Sequence, residues 1–227
     1  MKQAFTLAEV LITLGIIGVV AALTIPTLIS NHKKIETSSR LKKFYSSMEQ
    51  AIRLSEIDNG ESTEWIKAST QKDENGNVDF EANGKVSKEF FMTYLAPYFK
   101  YTKIVDGVNE IDKDGNKTGN GTQTTVYFAD GSTFNFNNGS CMDIVFDTNG
   151  NRKPNIYAKD KFIFYMCFTE ASRKSVCGKS NKAICTKRNY YNSRTELLNA
   201  CKTTPYYCSG LLEYESWEFP YDYPYKL

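Results

Sequence analysis

A single carboxylate stands at the start of a long apolar stretch, where its chemistry is that of an ion-pairing group. Glu9 precedes the apolar segment, residues 10–31, which contains no charged side chain. A membrane-spanning helix needs about 20 mostly apolar residues, so the segment is long enough. An acidic residue costs roughly 2.5–3.5 kcal/mol at the centre of such a helix and is usually functional and paired. Glu9 therefore predicts a cationic partner.

The chain can supply that cation if residues 1–4 are removed. Phe5 then carries a new α-amino group, whose ordinary pKa of about 8 leaves it mostly protonated at neutral pH. Glu9 lies one helical turn from Phe5 on the same face. In a staggered stack of identical helices, Glu9 of one subunit can meet the Phe5 amine of another. Pairing offsets the cost of burying both charges and sets the axial register.

Two other interpretations of the N-terminus are open. A cleaved secretory signal has a positive start, a short apolar core and a small-residue cleavage site. Lys2 and the Val20-Ala21-Ala22 stretch fit that pattern loosely, whereas Glu9 and the length of the apolar segment do not. A plain membrane anchor explains the length but not Glu9.

The stretch Ala4-Phe5-Thr6-Leu7-Ala8-Glu9, after a short leader with Lys2, resembles the class III signal of type IV pilins and type II secretion pseudopilins. The resemblance covers residues 1–30. It implies that a prepilin peptidase cuts between Ala4 and Phe5 and methylates Phe5, and that Glu9 recruits the neighbouring subunit. Pro26 matches the family's kink-forming proline. Ala4 departs from the glycine usual before the cut, so we expect cleavage at a reduced rate.

Small residues in the apolar segment favour close packing of helices. Gly18 and Ala22 form a small-xxx-small pair, with Gly15 one turn earlier, which is typical of contacting membrane helices. Simple tolerance of small residues in such helices is an equal alternative. Pro26 lacks a backbone N–H and should bend or locally melt the helix.

Six cysteines all lie in the C-terminal half of the chain. An even number behind a membrane segment indicates an oxidising compartment and up to three disulfides, and reduced buried thiols are the alternative. Cys201 and Cys208 flank a short turn with Pro205 and are the favoured pair. The other candidates are Cys141, Cys167, Cys177 and Cys185.

The side of the membrane follows from the same cysteines. Lysines and arginines after the apolar segment would place the C-terminal part in the cytoplasm by the positive-inside rule. The cysteines and the pilin resemblance favour the opposite side. The expected location is a single-pass inner-membrane protein with an extracytoplasmic head, which then enters a pilus or pseudopilus.

The remaining pattern predicts an α+β fold. A helical stripe of Leu41, Phe44, Met48 and Ala51 extends the first helix to about Ile57. The predicted divisions are a leader (1–4), a transmembrane and stalk helix (5–57) and a globular head (58–227). The head is predicted to be a pilin-like antiparallel β-meander packed on the long helix, with a disulfide-containing C-terminal region. Its predicted parts are loops at 60–84 and 106–121, strands within 125–136, 142–146 and 162–166, and helices at 87–95 and 193–201.

One loop carries oxygen side chains suited to calcium. Asp147, Asn149 and Asp160 lie in a stretch similar to a loop of major pseudopilins, and such oxygens can hold Ca²⁺. Asx turns explain the same residues without a metal, and this interpretation is favoured here and for the similar stretches at 73–79 and 112–116. No other cofactor is expected.

Nothing in the sequence indicates an enzyme. The one histidine, His32, lies at the membrane boundary, and there is no Ser–His–Asp set, phosphate loop or metal cluster. The net charge of +2 gives no evidence for nucleic acid binding.

The sequence therefore predicts a structural pilin-like subunit of a type IV pilus or type II secretion pseudopilus. Its large head favours a minor or specialised subunit. The partners implied by the resemblance are the prepilin peptidase/methyltransferase, other pilin or pseudopilin subunits, the inner-membrane assembly platform and membrane lipid. The alternative is a membrane-anchored extracytoplasmic ligand-binding protein that uses the aromatic tail from Trp217 to Tyr225. Packing of that tail over the head is the simpler interpretation.

Overall fold

One long helix, α1 (Leu7–Asn59), begins the fold in the computed structural model of the chain. The structure describes residues 6–65, 70–136 and 141–227, without the side chains of residues 108–109 and 117–122. The 53 residues of α1 span about 80 Å at 1.5 Å per residue. The predicted long N-terminal helix is confirmed, and it ends at Asn59, two residues beyond the predicted Ile57, before Gly60 at φ 78°.

The head consists of shorter helices and a sheet. Its strands are β1 (Lys103–Ile111), β2 (Lys117–Tyr127), β3 (Thr133–Phe136), β4 (Cys141–Asp147), β5 (Lys161–Cys167) and β6 (Ile184–Cys185). Its α-helices are α2 (Phe80–Tyr94), α3 (Glu170–Cys177), α4 (Arg194–Thr203) and α5 (Cys208–Tyr214).

The strands form one antiparallel sheet in the order of the chain, so the sheet is a meander. Side chains alternate between its two faces because the strand period is two residues. The face toward α1 is built from large apolar side chains, and the opposite face carries Cys141, Asp147, Lys161 and Cys167. The residues buried toward α1 in β3, β4 and β5 are Phe134, Phe136, Met142, Ile144, Phe146, Phe162, Phe164 and Met166.

The second half of α1 is the central element of the core. Its predicted apolar stripe is buried along one side. Phe44 stacks on Phe146 with ring centroids 4.2 Å apart, and it lies 5.3 Å from Phe134 and 5.2 Å from Phe164. The helix that begins in the apolar segment is therefore also the helix on which the head is built.

Two regions differ from the sequence prediction. The loop predicted at 106–121 is wrong, because β1 and the first half of β2 form a hairpin there. Its residues are mostly polar, so the alternation that reveals a half-buried strand was missing. The helix predicted to start at Ser87 starts at Phe80 after the cap Asp79. Gly84 weakens helix propensity, but it is buried and its carbonyl accepts the Thr124 hydroxyl at 2.9 Å, which draws α2 onto the sheet.

The aromatic tail packs over the head, as in the simpler of the two interpretations. Trp217 is 7 % exposed and lies 5.0 Å from the ring of Tyr45. The Ser38 hydroxyl on α1 donates to the Trp217 carbonyl. Arg194 at the start of α4 binds both Asp222, at 2.7 Å, and Glu215. The tail is therefore part of the core, with Tyr221 as its most exposed ring.

Candidate functional site

The apolar segment projects from the head without any cover from the rest of the chain. None of its side chains is buried, and Leu23 and Leu28 keep 73 % and 70 % of their surface exposed. By length and composition this helix can cross a membrane. A contiguous apolar surface of this size marks a lipid or protein interface. The arrangement is compatible with a single-pass membrane anchor.

Glu9 forms a capping box at the start of α1. Its Oε2 accepts the Thr6 backbone N–H at 2.8 Å and the Thr6 hydroxyl at 2.7 Å, while the Thr6 Oγ1 accepts the Glu9 N–H at 3.3 Å. The Thr-x-x-Glu spacing is the sequence signature of this motif. Within the described residues Glu9 Oε1 has no hydrogen-bond partner, so one carboxylate oxygen is available to another molecule.

The cleavage point lies beyond what the structure describes. Ala4 and Phe5 fall outside the described residues, so their expected roles in processing and methylation stay predictions. Thr6 is the first described residue, and its extended backbone at φ −76° and ψ 152° marks where the helix begins.

The small residues of α1 face open space. A side chain placed on Gly15 or Gly18 would meet no atom of the described chain within 4 Å, and Ala22 is exposed. Nothing in the described chain therefore requires glycine at these positions, whereas a second helix packed here would. Pro26 lies inside α1, and the helix continues through it, so local melting at Pro26 is not observed.

The calcium candidates are brought together, and oxygens of Asp147 and Asp160 already accept hydrogen bonds. Asp160 accepts the backbone N–H groups of Asn155 and Ile156, both at 2.7 Å, and the Asn149 side-chain amide at 3.3 Å. Asp147 accepts the Asn149 N–H at 3.0 Å. Asn149 Oδ1 is buried and unpaired within the described residues. The described part of the chain holds no group of three His, Cys, Asp or Glu side chains placed to share a metal ion. The hydrogen bonds of Asp147 and Asp160 are those of the Asx-turn interpretation.

Asp73 and Asp112 lie in the same type of turn. Each accepts the N–H groups two and four residues ahead, at 2.8–2.9 Å. The backbone N–H of Asn77 lowers the pKa of Asp73, and the N–H of Asn116 lowers that of Asp112. These carboxylates therefore close local turns, as the Asx interpretation of the two stretches predicts.

The structure contains three disulfides, all within the head. Cys201 pairs with Cys208, which is the pair favoured from the sequence. Cys141 pairs with Cys167 and Cys177 with Cys185. Cys141 and Cys167 are directly opposite each other on β4 and β5. The disulfide therefore joins the first residue of β4 to the last residue of β5. These bonds support an oxidising compartment for the head.

A buried charged group on the outer face of the sheet was not anticipated from the sequence. Lys161, 4 % exposed, donates to Glu110 at 2.5 Å, and Glu110 also accepts the Tyr157 hydroxyl at 2.7 Å. Asp147 lies across from Lys161 in the strand register. Burial raises the pKa of Asp147 to about 7, against the backbone N–H of Asn149, which lowers it.

The raised pKa of Asp147 predicts that the stability of the head depends on pH. Its ordinary pKa is 3.8 and its folded pKa is about 7, so between these values the folded state binds the proton more tightly. The contribution of Asp147 to the free energy of unfolding should therefore fall as the pH rises from about 4 to about 7, by up to about 4 kcal/mol. Asp147→Asn should lack this component, because the amide oxygen still accepts the Asn149 N–H and does not ionise. Thermal unfolding of both proteins across this range measures the difference.

The matched control is Glu218→Gln, a change of the same kind at an exposed position. It should keep the pH slope of the wild-type protein. Equal slopes for Asp147→Asn and the wild type would show that Asp147 ionises normally in the folded head.

Comparison with known proteins identifies a family. The model of a family of unknown function, DUF6613, matches residues 27–227. The chain belongs to the DUF6613 family. The match begins directly after Pro26, so the DUF6613 region comprises the head and the second part of α1, and Glu9 and most of the apolar segment precede it. No curated protein and no solved structure matches the chain. The DUF6613 description names no activity, and function has to be argued from the geometry.

Proposed function

We propose that this protein is a pilin-like structural subunit, which is held in the membrane by α1 and assembles through α1 into a pilus or pseudopilus. The observation that carries the proposal is an uncovered apolar helix with one carboxylate at its start. In the part of the head that the structure describes, no group is a partner for either feature. Membrane lipid can cover the apolar surface before assembly, and helices of neighbouring subunits can cover it afterwards.

The carboxylate supports assembly over simple anchoring. A simple anchor gains from Glu9 only the helix cap, although a carboxylate is costly in lipid. The capping box satisfies Glu9 Oε2 and leaves Oε1 free within the described residues. In a staggered bundle the α-amine of a processed neighbour provides the cation for Oε1, and the pair forms only at one axial offset. Glu9 thus caps its own helix and also fixes the axial position of the neighbouring helix.

The helix surface supports the same role. Gly15, Gly18 and Ala22 leave a shallow strip on α1, and shallow strips let neighbouring helices approach closely enough for backbone contact. The strip has no function within the monomer. It favours a bundle of α1 helices as the interior of the assembly, with heads outside.

The head fits an extracytoplasmic position. Its three disulfides join β4 to β5, α3 to β6 and α4 to α5. Disulfides persist in oxidising compartments and are rare in the cytosol. The positive residues after the apolar segment oppose this orientation by the positive-inside rule, but long translocated domains cross largely regardless of such charges.

The mature N-terminus tests the proposal. We expect protein produced together with a prepilin peptidase to begin at Phe5 and to carry one methyl group on its α-amine, as read by mass spectrometry of the N-terminal peptide. Ala4→Gly should be processed faster than the wild type, and Ala4→Leu more slowly, because the residue before the cut has to be small. A mature chain that begins at any other residue contradicts the proposal.

A further inference from the structure

A positively charged groove opens beside α1 at the end of the head nearest the apolar segment. Its volume is about 570 Å³, and we call it the basal groove. Four lysines line it, and they come from three separate parts of the chain: Lys33 from α1, Lys153 and Lys159 from the loop between β4 and β5, and Lys226 from the tail. The fold therefore gathers charges that are distant in sequence.

The four ammonium groups have no ion pair or hydrogen bond within the described residues. The fifth cation of the groove, Arg40, is already engaged, since it pairs with Glu36 at 2.9 Å and donates to the Thr148 carbonyl. Apart from Glu36, the acidic side chain in the groove is that of Asp160, whose oxygens accept N–H groups. Positive charge remains in excess.

The position of the groove matches the headgroup layer of a bilayer. The headgroup regions add about 5–8 Å on each side of the hydrocarbon core. Lys33 follows the end of the apolar segment by about 3 Å along the helix and Arg40 by about 14 Å. The groove therefore begins where lipid phosphates would lie and extends away from the membrane.

We propose that the basal groove binds the phosphate of an anionic phospholipid in the membrane that α1 spans. The inference rests on the membrane anchoring contained in the proposed function. An anionic bilayer surface attracts each juxtamembrane lysine or arginine by about 1 kcal/mol, and this attraction requires only that the leaflet beside the head contain anionic lipid. The bound lipid holds the head upright against the membrane, and the contact is given up when the subunit leaves the bilayer.

Lysine accessibility in the full chain tests this binding. The protein is reconstituted in nanodiscs of phosphatidylcholine alone or with added phosphatidylglycerol, and an amine reagent labels it for quantification by mass spectrometry. Labelling of Lys153, Lys159 and Lys226 should be at least about threefold slower with phosphatidylglycerol. Lys174 and Lys179 should react equally in both discs, because they lie far from the membrane. Their neighbour Arg173 binds Ser62, which follows the end of α1 opposite to the apolar segment.

Charge-reversal variants separate specific binding from the general effect of an anionic surface. Lys153→Glu/Lys159→Glu should abolish the phosphatidylglycerol-dependent protection of Lys226. The matched control, Lys174→Glu/Lys179→Glu, changes the net charge equally and should keep it. Protection of Lys226 that persists in the first variant would overturn the proposal.

Two further arms complete the test. Inorganic phosphate added to phosphatidylcholine discs should give no protection, and equal protection would identify a site for free phosphate instead of lipid. Co-elution of the chain with both kinds of disc reports anchoring separately. A chain that enters both discs but shows no lipid-dependent protection refutes the groove proposal alone, whereas a chain that enters neither refutes the anchoring as well.

Discussion

Replacing Glu9 by alanine should reduce incorporation of the protein into filaments by on the order of a hundredfold or more. In the proposed assembly the variant would leave the Phe5 ammonium of a neighbour buried in an apolar bundle without a partner, and removing one member of a buried ion pair costs about 3–5 kcal/mol. The measurement is the amount of the protein in sheared, purified filaments relative to the amount in the membrane. The thermal unfolding of the head should not change, because the Glu9 side chain hydrogen-bonds only to Thr6 within the described residues, and the Glu9 carbonyl that accepts the Thr13 hydroxyl is kept in the alanine variant.

The capping box requires its own control, because Glu9→Ala also removes a helix cap. Thr6→Val removes the capping hydroxyl and keeps the carboxylate. Loss of such a cap costs about 1 kcal/mol, so incorporation should fall less than about tenfold. Equal defects in the two variants would assign Glu9 to helix capping alone, and normal incorporation of Glu9→Ala would remove the pairing role.

Replacing Phe44 by alanine should lower the free energy of unfolding of the head by about 3–5 kcal/mol. Phe44 is 3 % exposed, and its ring contacts Phe146, Phe134 and Phe164, so the substitution leaves a cavity between α1 and the sheet. Urea unfolding of the full chain in detergent, followed by tryptophan fluorescence, measures the change. The reporter is close, since Trp217 packs on the same sheet through Phe164 at 5.8 Å.

Ile57→Ala is the matched control on the same helix. Ile57 is 79 % exposed, and its truncation should change the free energy of unfolding by less than about 0.5 kcal/mol. A loss below about 1 kcal/mol for Phe44→Ala would mean that α1 is not fixed to the sheet through this ring.

The sequence was enough to predict those helices and strands in which apolar residues recur at one regular spacing along the whole element. The helical stripe around Phe44 placed α1 on the core, and alternating residues placed β3, β4 and β5. The helix predicted at 193–201 is confirmed as α4, and Ser193 is its cap. The β1–β2 hairpin was missed because its polar strands show no apolar alternation. Gly84 concealed the first turns of α2, since a packing reason for a glycine cannot be seen in one sequence.

Pairings between distant residues were harder to obtain. Arg194 and Asp222 are 28 residues apart, and Lys161 and Glu110 are 51 apart, so no spacing rule connects them. Cys141–Cys167 could have been found, because antiparallel pairing of the two predicted strands 142–146 and 162–166 in full register sets these cysteines opposite each other. The capping box could also have been found, since Thr6 and Glu9 have its spacing.

The continuity of α1 has a mechanical consequence. One uninterrupted helix includes both the apolar segment and the stripe that packs on the sheet, so no flexible linker lies between the two. A pull on the apolar end is transmitted along hydrogen bonds of the helix directly to the rings around Phe44. The tail also holds α1 to the head under this force, because the Ser38 hydroxyl on α1 donates a hydrogen bond to the Trp217 carbonyl. Under tension the head should fail by shearing of α1 from the sheet, and not by gradual extension of a tether.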